Sequence, residues 1–114
     1  MSSPITQQMH QDGPNIYYQP EFRDMVEDHL NWLITHPDTT TIDILPKDAF
    51  KYEGDFYGLM AQIDNRRHLF WYVMRINRMK QPEDFTRDTV QLLIPDTALL
   101  DRLVKTFKTT NRQL

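Results

Sequence analysis

At 114 residues the chain has room for one domain with one sizeable core and not for a second. Its composition, 39% hydrophobic and 25% charged, is that of an ordinary globular protein, and no run approaches the ~20 apolar residues of a membrane span. A formal net charge of -3 argues against a general nucleic-acid binder, and the lack of cysteine excludes disulfides and cysteine-ligated zinc.

Residues 1–19 are rich in Ser, Gln, Gly and Pro and show no hydrophobic period, which predicts a flexible N-terminal arm. They hold no apolar stretch of signal-peptide length, so no export route is expected. The adjacent Ile16, Tyr17 and Tyr18 favour an arm that orders on a partner. Pro20 suits the first turn of a helix, and Glu21 and Asp24 suit the positive end of its dipole. Phe22, Met25, Val26, Leu30 and Leu33 follow at spacings of three and four, predicting an amphipathic helix over 20–35 that His36-Pro37 ends.

β-Branched residues alternate through 39–45, predicting a strand, and Ala49-Phe50-Lys51-Tyr52 reads as a second alternating piece that extends it. Gly54-Asp55 breaks the strand, with Asp55 as N-cap of a short helix carrying Phe56, Leu59, Met60 and Ile63. A second helix is predicted over 68–78. Its stripe is Leu69, Tyr72, Val73 and Ile76, yet Phe70, Trp71 and Met74 fall outside that stripe. A helix apolar nearly all round is covered on more than one side, here by the terminal helices, a partner, or both. A polar loop over 80–88 leads to a strand over 90–95. A last helix then starts at Asp96 or Thr97, with Leu99, Leu100, Leu103, Val104 and Phe107 on one face. Residues 109–114 are expected to fray.

These residues carry a resemblance. Gly54-Asp55 after a strand, two short helices, the second ending at Asn77, and a closing Leu92-Leu93-Ile94-Pro95 strand resemble the LysM domain. More narrowly, the Gly-Asp-Phe-Tyr-Gly step over 54–58, Phe70-Trp71 with Arg75 and Asn77, and Leu92-Leu93-Ile94-Pro95-Asp96 are similar to the LysM-like baseplate wedge proteins of contractile-tailed bacteriophages. The resemblance spans about 41–107. It implies an α+β fold, with a LysM-like strand-helix-helix-strand core and an added helix at each end, in a single domain over 20–108. It also implies a non-enzymatic virion protein of the phage tail baseplate, assembled in the host cytoplasm. Its partners would be other wedge proteins and tail sheath or tube proteins, with no nucleic acid, membrane, cofactor or small-molecule substrate. Ile16, Tyr17, Tyr18, Phe70, Trp71, Met74 and Arg75 are the interface candidates that this reading selects. An adaptor in a related contractile injection device is a further possibility of the same kind.

The side chains able to do chemistry form no convincing constellation. Glu53, Asp55, Asp64 and His68 form no pattern that predicts a cleft, and capping accounts for Asp55. The only serines, Ser2 and Ser3, lie in the arm, which leaves a serine triad without a scaffold. His29 and His36 have no third ligand placed with them, so no metal site is expected. The basic run Arg66-Arg67-His68 reads as a solvated loop. The rival from another class is a peptidoglycan or N-acetylglucosamine-polymer-binding LysM module. The resemblance would place its groove at about 52–56 and 80–89, with Tyr52, Phe56 and Phe85 as stacking residues. Lys80, Glu83, Asp84, Arg87 and Asp88 make that lining unusually charged for a neutral glycan.

Overall fold

The computed structural model describes residues 14–111. Pro14–Tyr18 forms a 3-10 turn, and Pro20 then opens helix α1 (Pro20–Asp28). The helix predicted over 20–35 is interrupted at His29 and resumes as α2 (Leu30–Thr35). His29 turns out of helical geometry there, and its Nδ1 lies 2.8 Å from the Met25 carbonyl oxygen, so Nδ1 carries the proton. Strand β1 (Thr40–Asp43) pairs antiparallel with β2 (Gln91–Ile94) in the register Thr40–Ile94, Thr41–Leu93, Ile42–Leu92 and Asp43–Gln91. Between the strands lie α3 (Pro46–Lys51), α4 (Phe56–Ile63), a 3-10 turn (Arg67–Leu69) and α5 (Phe70–Ile76). A 3-10 turn at Pro82–Asp84 precedes β2, and α6 (Thr97–Asn111) follows it. The fold is therefore α+β.

Residues 49–52 do not extend the first strand. They lie in and just after α3, which Pro46 starts without losing a needed donor and whose Asp48 and Lys51 match its dipole. The alternation of Phe50 and Tyr52 that imitates a strand arises because Phe50 is left in solvent, 63% exposed. The arm predicted over 1–19 is corrected where it is described. Ile16 and Tyr17 are buried in the chain's own core, and residues 1–13 lie outside the described residues. At the other end α6 continues through Asn111 into the segment expected to fray, and 112–114 lie outside the described residues.

The buried side chains form two clusters, where length alone predicts one core. Ile16, Tyr17, Phe22, Val26, Leu33, Leu99, Leu100 and Leu103 gather around Leu69, Tyr72 and Ile76. On the other side Phe56, Leu59, Met60, Phe85 and Leu92 gather around Phe70, Val73 and Met74. Helix α5 is the wall between them, and Trp71 packs against both. This answers the question raised by its apolar circumference. The terminal helices cover one side and the sheet with α4 covers the other.

Two local devices fix this wall. The end of α5 is a Schellman motif, in which Met79 N–H reaches the Met74 carbonyl at 3.1 Å and Arg78 N–H reaches Arg75 at 3.0 Å. Arg78 takes the left-handed position at φ 68° that glycine usually fills. The second device is Asn77. Ile44 N–H donates to the Val90 carbonyl at 2.9 Å, so with the strand register Leu93 turns its own N–H and carbonyl away from β1. The Asn77 amide meets both: Oδ1 accepts from Leu93 N–H at 2.8 Å and Nδ2 donates to Leu93 O at 2.9 Å. One side chain thus acts as a third strand of a single residue.

Candidate interface site

The turn Pro14–Tyr18 places successive aromatic rings on opposite sides. Tyr17 points in, with its hydroxyl donating to Asp101 Oδ1 at 3.2 Å, while Tyr18 stays 53% exposed. The Tyr17 carbonyl accepts from the Tyr72 hydroxyl and from Arg23 Nε at 3.2 Å. Burial raises both tyrosine pKa values, so these two hydroxyls stay protonated as donors. Held by that bond, the Arg23 guanidinium lies 4.8 Å from the centre of the Trp71 ring and 5.7 Å from that of Tyr18. Tyr57 of α4, whose ring is 6.0 Å from Phe70, and Arg67 of the turn before α5 complete a groove of about 240 Å³. Burial raises the Tyr57 pKa, and the Arg23 charge opposes that shift. Among the described residues neither Arg23 nor Arg67 takes part in an ion pair, whereas Arg66, Arg75 and Arg87 are each paired with a carboxylate.

The interface candidates divide. Ile16, Tyr17, Phe70 and Met74 are buried within the chain, and of these Phe70 also lines the groove. Tyr18 and half-buried Trp71 border the groove. Arg75 is engaged internally: its Nε and Nη2 grip both oxygens of Glu27, the latter at 2.9 Å, and Nη1 donates to Met79 O at 2.8 Å. The same bond holds the Glu27 carboxyl below its ordinary range. Arg75 therefore ties α5 to α1. Arg23 and Tyr57 escape a reading by sequence as interface residues, and Arg67 reads there only as part of a solvated basic run. Arg23 shows only as a polar position on an amphipathic helix, and nothing local links it to Trp71.

The proposed glycan row is not assembled. Phe56 and Phe85 are fully buried and pack on each other at 5.9 Å, where they hold α4 to the loop before β2. Tyr52 is half-buried, with its hydroxyl bonded to Gln62 and the Lys51 ammonium 5.3 Å from its ring centre. The acidic candidates for catalysis have structural partners. Asp55 caps α4 by accepting from Gly58 N–H at 3.0 Å, Asp64 pairs with Arg66 at 2.7 Å, and Glu53 pairs with Arg87 at 3.3 Å. His68 packs on Tyr17 at 5.1 Å, and burial together with the Arg66 charge lowers its pKa. Gly58 belongs to the Asp55 cap, since a Cβ there would lie 2.2 Å from Asp55 Oδ2. A second, apolar cleft of about 120 Å³ opens between Ile42, Ile63, Phe70, Ile94 and Leu100, with the Asp64–Arg66 pair at its lining. Among the described residues no three His, Asp or Glu side chains converge to hold a metal ion, and no helix is long and apolar enough to cross a membrane. Comparison with family models, curated proteins and solved structures finds no match.

Proposed function

We propose that this protein is a non-enzymatic structural component of a contractile phage tail, placed in the baseplate wedge. Its LysM-like core would serve as a rigid peg, and its outer surface would join neighbouring wedge and tail sheath or tube proteins. The observation that carries this reading is the Tyr18–Arg23–Tyr57–Arg67–Trp71 groove. Aromatic rings interleaved with arginine are the composition of interface centres rather than of ordinary surface. The Gly54-Asp55 step into α4, the antiparallel closing strand and the Asn77 link to it support the LysM-like core. Helix α3 is an addition to the strand-helix-helix-strand order. The peptidoglycan reading has lost two of its three stacking residues to the core, and no observation favours it.

Purified tails from the phage that encodes this chain test the proposal. The expected result is that mass spectrometry finds the protein in isolated baseplates, and that particles grown without it lack a completed wedge. Complete, contractile tails formed in its absence would refute the assignment.

A further inference from the structure

The groove between the N-terminal turn, α1, α4 and α5 is more specific than an apolar contact patch. At about 240 Å³ it falls below the ~300–1,000 Å³ of small-molecule pockets, which suits one or two anchoring side chains. Its walls are the rings of Tyr18, Tyr57 and Trp71, and its polar groups include two guanidiniums. The Arg23 guanidinium lies over the Trp71 ring, 4.8 Å from its centre, and is held at Nε by the Tyr17 carbonyl, so its position is set before anything binds. With Nε given to the Tyr17 carbonyl, the two Nη groups remain as the donors that can meet a carboxylate. Arg67 is exposed on the same groove. Three other arginines meet a carboxylate within the chain, whereas among the described residues these two, like Arg78 and Arg102, meet none in an ion pair. The Arg23 charge is close enough to Tyr57 to act on its hydroxyl, lowering the pKa against the larger upward effect of burial.

We infer that this groove receives an acidic peptide segment of a neighbouring protein, with an Asp or Glu carboxylate on Arg23 and Arg67 and an adjacent apolar side chain against Trp71 and Tyr57. The inference rests on the proposed structural role and names the chemistry of one of its contacts. A nucleic acid fits less well, because two guanidiniums on a chain of net charge -3 make no continuous basic track for a phosphate backbone.

The test is an NMR titration of the full chain with acetyl-Gly-Glu-Phe-Glu-Leu-Gly-amide, its Gln-for-Glu counterpart, and an oligothymidine. The two tryptophans supply an internal control, since Trp32 sits apart from the groove beside His36 and Arg102. The acidic peptide is expected to shift the Trp71 indole N–H and leave that of Trp32 in place. The Gln peptide, or the exposed-site variant Arg67→Gln, should bind at least about fivefold more weakly, and added salt should weaken the acidic peptide further. No shift at Trp71, equal binding of the Gln peptide, or tighter binding of the oligothymidine would each overturn the inference. Presence in isolated baseplates is read separately, so a failed titration with the protein still in the wedge refutes the groove's partner and not the structural role.

Discussion

Arg75 shows how a residue type that favours interfaces can be consumed by the fold. It carries the planar fork that suits a carboxylate, and the carboxylate it finds is Glu27 on α1. The pair is partly shielded, with the side chains 18% and 35% exposed, so its worth is discounted to about 1 kcal/mol. The sign of its pH dependence follows from the Glu27 carboxyl being held low, first by the Arg75 hydrogen bond, with burial acting in the opposite sense. A depressed carboxyl contributes stability above its unfolded pKa of about 4.3 and loses it as pH falls through the folded value. Glu27→Gln should therefore lower the denaturation midpoint at pH 7. The gap to the parent should narrow steadily as urea unfolding is repeated from about pH 5 to pH 3. A gap independent of pH would show that the two residues act through packing alone. His68 follows the same sign, since its buried ring favours the neutral form. Arg23, by contrast, meets no carboxylate in an ion pair among the described residues, and that difference from Arg75 separates a clasp from the docking group we infer.

Among the elements, α5 and β2 were legible because their periods are strong. The apolar run through Leu69 and Ile76 announced a helix buried on several sides, and Leu92-Leu93-Ile94-Pro95 announced a closing strand. Asp55 as cap and Asn77 as helix end were legible for the same reason, since each sits where a period stops. Helix α3 was not, because its exposed Phe50 and half-buried Tyr52 alternate as strand residues do, and β-propensity has no knowledge of the proline turn before them. Nor was the burial of Ile16 and Tyr17, since beyond nearby Phe22 their partners on α5 and α6 lie far along the chain. The joint between α5 and β2 also exceeds what a period conveys. Asn77→Ala leaves Leu93 without both partners and should cost about 2–3 kcal/mol in chemical denaturation. Hydrogen exchange at the Leu93 amide should accelerate beyond the change in global stability. Asn77→Asp should not rescue it, because a carboxylate can accept from Leu93 N–H but repels the Leu93 and Val73 carbonyls that the amide now serves. Unchanged exchange at Leu93 would mean that the strand is held by β1 alone.

For the molecule as a whole, the position of α5 decides whether the two clusters are two folding units or one. Each cluster taken alone is small, and a two-stranded sheet is marginal without packing beneath it. Met74 belongs to the cluster under the sheet, whereas Tyr72 and Ile76 belong to the cluster formed with the terminal helices, all on two turns of one helix. Disordering α5 from either side removes a wall of both, so the chain should unfold in a single cooperative step. Met74→Ala, which cuts a side chain 1% exposed, should cost about 2–5 kcal/mol. The informative readout is where that loss is felt. Amides in α6, which pack through Leu99, Leu100 and Leu103 on the opposite side of the wall, should lose exchange protection by the same free energy as those in β2. If the amides of α6 kept their protection while those of β2 lost it, the clusters would be separate units. In the coupled case, a load applied at the groove by Tyr18 and Trp71 would reach the sheet through one helix shared by both clusters, as the proposed role of a peg between neighbouring subunits would require.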